Sequence, residues 1–165
     1  MVEFLDKKFR SRKLRYVAQC LLAGLVVFVL LMILDAVKNS AVIASLGASA
    51  FIVFTMPHQR RARSRLLIGG YVMGVLSAHL GYLPLWRGWV NPESAMVVAV
   101  FAGLAVGLAI FLMVVFDFEH PPAAGVALGL VLNRCDPWIT LVVLAGILVL
   151  AVSRILLKRV MIDLL

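Results

Sequence analysis

Glu119-His120-Pro121-Pro122-Ala123-Ala124-Gly125 leads into a short apolar run, Pro121 to Leu132, of about a dozen residues. The longer apolar runs of the same chain reach the roughly 20 residues that cross a bilayer. A run too short to span, headed by two prolines and an ionisable cluster, reads as a helix that starts inside a membrane protein. Proline is favoured at the first helical position, because its missing N–H would have no intrahelical partner there. The amides that follow, Ala123, Ala124 and Gly125, are then expected to be free to face a ligand, since the first turn of a helix leaves its donors unpaired. In hydrocarbon such donors need a partner.

Composition agrees with that class. Hydrophobic residues make up 64% of the 165-residue chain, and the mean hydropathy is +1.07, outside the range of soluble globular domains. The expectation is one all-α integral membrane domain over residues 1–165, with residues 1–15 as a basic cytoplasmic segment. The net charge of +8 would suggest nucleic acid in a soluble protein. Here the basic residues sit in short loops beside apolar runs, where they act as topology signals and touch lipid headgroups, so no nucleic-acid partner is expected. Cys20 lies in an apolar run and Cys135 in a loop, which suggests no disulfide framework. The first apolar run is longer than a signal-peptide core and is expected to remain as an anchor.

Six hydrophobic segments can be drawn: Tyr16 to Leu34, Ser40 to Met56, Leu66 to Leu83, Ser94 to Phe116, Pro121 to Leu132, and Pro137 to Leu157. The first, third, fourth and sixth read as full spans, and the second and fifth as short, interrupted helices. In the second, Ser45, Gly47 and Ser49 suggest irregular chain with a helix beginning near Gly47. Lys7, Lys8, Arg10, Arg12, Lys13 and Arg15 precede the first span. Arg60, Arg61, Arg63 and Arg65 separate the second and third segments, and Arg154, Lys158 and Arg159 close the chain. If all six segments cross, these residues share the cytoplasmic side, and only Lys38, Arg87 and Arg134 lie opposite. The positive-inside rule thus favours six crossings with both termini cytoplasmic, in the cell's inner (plasma) membrane. If the two short segments are re-entrant, the arginine-rich loop moves outside.

Each half then has the order long, short, long, and the halves enter from opposite sides. That order suits a 3+3 inverted repeat with a binding site near the midplane, though any six-segment protein can be cut this way. Glycines recur at spacing four in the pairs Gly70 and Gly74, Gly103 and Gly107, and Gly125 and Gly129. They permit close helix contact, chiefly inside the protomer. A homo-oligomer is also expected, because so small a bundle offers few internal surfaces for alternating access.

Ionisable groups inside a membrane are functional candidates by default. His120 is expected to dip inward. Asp117 and Glu119 are either pore-lining or interfacial, and His79 either lines a pore or bonds a backbone carbonyl. A metal centre finds no second cluster to complete its shell, and no cofactor is expected. Gln19 reads as helix glue, and His58 as solvated. The absence of nucleophile-elbow, phosphate-loop and zinc-protease signatures argues against an enzyme.

His120, Pro121 and Pro122 form the tripeptide of the HPP family of small integral membrane proteins, which this sequence resembles over most of its length. A second matching block runs from Leu46-Gly47-Ala48-Ser49-Ala50 through Pro57-His58 and Arg63 to Arg65 to Gly69-Gly70. The chain departs from the family pattern at Tyr71, where many members have His, at Ser64, where Pro is common, and at Val126, where Thr is frequent. The resemblance implies a membrane protein, with plant and cyanobacterial members linked to nitrite transport. Together these readings suggest a transporter or channel for a small inorganic anion bound between two helix N-termini near the midplane. Its expected contacts are Ser45, Gly47, Ala48 and Ser49 on one side, and His120, Pro121, Pro122, Ala123, Ala124 and Gly125 on the other. The rival reading is a membrane scaffold or sensor whose basic face binds a partner.

Overall fold

A computed structural model describes residues 7–34, 40–91 and 93–165. Lys38 and the first six residues of the basic N-terminal segment lie outside the described residues. The chain forms α1 (Lys7–Leu34), α2 (Ser40–Thr55), α3 (Ser64–Trp86), α4 (Ala95–Val115), α5 (Pro122–Leu132) and α6 (Pro137–Leu157), with a 3-10 turn at Arg60–Ala62. No strand occurs among the described residues. Helices α3, α4 and α6 are long and apolar enough to cross a membrane, while α2 and α5 are short apolar helices. The first expected span lies within α1, whose backbone leaves helical geometry at Arg12.

The irregular entry expected for the second segment does not occur, because α2 is helical from Ser40. Ser45 donates its hydroxyl to the Ala41 carbonyl at 2.9 Å, so this polar side chain is satisfied without breaking the helix. A mid-helix glycine such as Gly47 costs only about 1 kcal/mol. The small residues of α2 serve contact with α5. A Cβ on Gly129 would meet Ala41 at 3.0 Å, and one on Gly125 would meet the Ser45 hydroxyl at 2.6 Å. The two short helices therefore run antiparallel in the middle of the bundle.

The glycine pairs divide by location. On α3, a Cβ at Gly70 would lie 2.6 Å from that of His120, and one at Gly74 would lie 2.5 Å from the Ala123 carbonyl oxygen. These two positions, with Gly125 and Gly129, let α5 sit close against α3 and α2. Gly103 and Gly107 meet nothing within 4 Å and face outward from α4, contrary to the expectation of packing inside the protomer.

Two helix ends explain how α5 comes to be short and placed where it is. After α4, the Asp117 backbone turns left-handed at φ 55°. The amide of Phe118 bonds the Met113 carbonyl at 2.8 Å and that of Asp117 bonds Val114 at 3.3 Å. The pattern is a Schellman stop. The same stop ends α5, with Arg134 at φ 55°, Cys135 bonded to Leu130 at 2.7 Å and Arg134 to Val131 at 3.0 Å. Asp136 then starts α6 at once, accepting from the amides of Trp138 at 2.8 Å and Ile139 at 3.0 Å. Cys20 and Cys135 are free thiols, and burial pushes the Cys135 thiol up to about 12.

At the basic end, the last carbonyls of α2 and its following loop are held by distant residues. Gln19 donates to the Phe54 and Ile162 carbonyls and accepts from the Ile162 amide. The Leu164 amide bonds the Thr55 carbonyl at 2.8 Å, and Arg154 donates to the Pro57 carbonyl at 2.8 Å. Tyr16 donates to the Leu164 carbonyl at 2.8 Å. Gln19 is therefore helix glue, as the sequence suggests. The C-terminal tail, the start of the apolar part of α1 and the Arg60–Ala62 turn all meet at this end.

Candidate functional site

The loop after α4 turns into the bundle. Asp117 stays outside and pairs with Arg60, and Phe118 lies over Gly69, with the Arg65 guanidinium 5.2 Å from its ring centroid. Two residues later His120 is 1% exposed, packed against the gap left by Gly70. Absence of a side chain at Gly70 is what lets the His120 Cβ and the Phe118 carbonyl, and so the loop that carries the imidazole, come close against α3.

Three buried polar side chains meet there from three parts of the chain. The Ser49 hydroxyl lies 2.8 Å from Nε2 of His120 and 2.9 Å from the Tyr71 hydroxyl. Ser49 and Tyr71 are both fully buried, and the Tyr71 and His120 rings lie 5.7 Å apart between centroids. Nδ1 of His120 is buried and has no partner.

Counting hydrogens assigns the tautomer. If Tyr71 donates to Ser49 and Ser49 donates to Nε2, every hydroxyl proton is used and one N–H, on Nδ1, is left over. If Nε2 carries the proton instead, Ser49 accepts it, and whichever way the Ser49–Tyr71 bond runs one hydroxyl proton and the Nδ1 lone pair are left unsatisfied. An unmet buried polar group costs about 1–3 kcal/mol, so the first arrangement is favoured. It presents a neutral N–H donor that wants an acceptor.

The site has an opening. A recess of about 360 Å³ between the end of α4 and the start of α5 is lined by Ile110, Met113, Val114, Glu119, His120, Pro121 and Ala124. Glu119 is the acidic residue on this wall and is exposed.

Several expected contacts lie elsewhere. The amides of Ala123 and Ala124 already donate to the His120 and Pro121 carbonyls, at 2.9 and 3.1 Å. They are not free donors, because Pro121 has helical angles and closes the first turn on itself. Gly125 packs on Ser45, and Pro122 is half-buried in the first turn. The two facing helix N-termini do not form, because α2 begins at Ser40, beside the end of α5 rather than its start. Ser45 is turned back on its own helix, Gly47 contacts nothing through its Cα face, and Ala48 is exposed. Of the expected residues, Ser49 and His120 are brought into one hydrogen-bonded cluster, while Ser45 and Gly125 meet as a packing contact between α2 and α5.

His79 is not part of the cluster. It is exposed, bonds its own helix through Nδ1 to the Val75 carbonyl at 2.9 Å, and borders a separate recess with Tyr82, Trp86 and Arg134 at the other end. No group of three or more metal-ligating side chains occurs among the described residues. Tyr71 enters the sequence reading as a departure from the family pattern and not as an expected contact, whereas its hydroxyl completes the network. A tyrosine directly after Gly69-Gly70, in the apolar first half of the span, was the available signal. Ser77, fully buried with an unpartnered hydroxyl, lies about 9 Å further along α3 and carried no such signal.

A family model described as "HPP, transmembrane region" matches residues 10–163. No curated protein matches, and no solved structure matches.

Proposed function

We propose that this chain, which belongs to the HPP transmembrane family, is a non-enzymatic transporter or channel for a small inorganic anion such as nitrite. The observation that carries the reading is the unpartnered Nδ1 of His120, buried beside Ser49 and Tyr71 on a residue that also lines a recess. A site built from neutral donors fits an acceptor ligand and holds it loosely enough for release. The direct test is anion uptake by proteoliposomes of the pure protein. Nitrite entry well above that of protein-free vesicles is expected. Vesicles no more permeable than bare lipid would leave the scaffold or sensor reading in its place.

The protein sits in the inner membrane with both termini and the Arg60–Arg65 loop cytoplasmic. That orientation puts the C-terminal tail, Arg154 and the arginine-rich loop, which share one end of the bundle, on the side that positive charge favours. An impermeant maleimide should label Arg61→Cys only after cells are opened, in a background with both native cysteines replaced by Ala. Labelling of intact cells would reverse the orientation.

Helix pairing supports an inverted 3+3 plan. Helix α1 packs on α2 and α6 while α4 packs on α5 and α3; α2 meets α6 as α5 meets α3; and the pairs α2 with α5 and α3 with α6 map onto themselves. The protein works as a homo-oligomer, for which the open glycines of α4 offer a close-contact face.

A further inference from the structure

We infer that the His120 site takes its anion together with one proton, so that the species crossing the membrane is the neutral conjugate acid of a weak-acid anion. This rests on the reading of the site as an anion seat and names the form in which the anion is carried. Three observations lead to it. Among the described residues no cation faces the buried cluster. Helices α2, α4 and α5 contain no titratable residue, and on α3 the titratable groups are Arg65, Tyr71, His79 and Tyr82. Of these Tyr71 is the one that faces His120. Arg65 lies on Phe118, and the other two lie further along α3, at or beyond the far recess. On the loop, Asp117 is paired with Arg60 outside the site.

The second observation is the entrance. Apart from Glu119 and His120, the recess is walled by Ile110, Met113, Val114, Pro121 and Ala124, which solvate a neutral molecule and not an ion. Third, the acidic side chain on that wall is a carboxylate, which repels an approaching anion but not its conjugate acid. A bare anion would have to leave water for an apolar recess, pass a like charge, and be met by neutral donors alone. Burying an unpaired charge in that way is among the costliest steps a protein can ask for. The neutral acid avoids all three penalties. Its oxygen accepts from the His120 Nδ1–H, and its own proton stays bonded to it until release, when the acid dissociates in water to the anion and one proton.

The experiment uses proteoliposomes with a trapped pH dye, compared with vesicles lacking protein. An inward nitrite or formate gradient should acidify the lumen through the protein-dependent path. Its rate should rise about tenfold for each unit fall in external pH while the acid remains mostly ionised. Clamping the membrane potential with potassium and valinomycin should leave the rate unchanged. Nitrate and chloride, conjugate bases of strong acids, should show no protein-dependent flux. Nitrate flux equal to that of nitrite, or flux driven by voltage without acidification, overturns the coupling and leaves the anion site standing. Vesicles that pass none of the four anions overturn the site itself, and the coupling with it.

Discussion

His120→Ala is expected to bring protein-dependent anion flux down to the level of bare lipid, because it removes the one unpartnered donor of the buried cluster. The Ser49 hydroxyl loses its acceptor at 2.8 Å, and the space the imidazole filled becomes a void. Large-to-small changes in a core cost about 2–5 kcal/mol, so loss of flux alone would be ambiguous. His120→Gln is the companion variant: it keeps more volume and keeps an amide within reach of Ser49, and it should insert and remain monodisperse in detergent while flux stays strongly reduced. Tyr71→Phe removes only the far hydrogen bond of the network. A net hydrogen bond is worth about 1 kcal/mol, so that variant should lose about fivefold, with the fold unaffected. Full flux in His120→Gln would take the imidazole out of the path and leave the tripeptide a structural role.

Gly74→Ala should be the most damaging single-methyl change in the described chain. The added Cβ would stand 2.5 Å from the Ala123 carbonyl oxygen, a backbone atom at the first turn of α5 that cannot swing aside as a side-chain end can. Relief requires α5 to move off α3, which also withdraws His120 from Ser49. Overpacking of this kind costs about 1–3 kcal/mol, and flux should fall with it. Gly24→Ala and Gly47→Ala are the matched controls, since nothing lies within 4 Å of either position. They should unfold in detergent at the parent temperature or somewhat above it, since Ala is the better helix former. A Gly74→Ala protein as stable as these two would mean that α3 and α5 are not in the close contact described.

The pairing of His120 with Ser49 illustrates how much of the site could be read in advance. Both residues stand out in the sequence for the same reason: a polar group in an apolar run has to be satisfied or used. Their meeting could not be read, because 71 positions separate them and the meeting depends on α2 lying antiparallel to α5. The helix-terminus site failed for a local reason. Proline at the start of a helix removes an N–H and so invites the idea of open amides beyond it. Here Pro121 itself has helical angles, and the turn from His120 to Ala124 closes its own bonds. Gly47 misled in the same way, since a glycine amid serines resembles a break, whereas in the fold its neighbours are the contact surface for α5.

Hydropathy and charge, which are sums over neighbouring residues, determined on their own that the chain is an all-α membrane protein of six segments, two of them short, with its basic residues gathered in few places. The tripeptide and the second block were likewise enough to place it in its family, because each is a contiguous string. Tertiary structure alone decided which glycines touch another helix, that Asp117 turns the chain while His120 enters it, and that Tyr71 supplies a hydroxyl to Ser49. Each of these depends on distances between residues far apart in the chain. Such distances are set by how closely backbones can approach once the intervening side chains are absent.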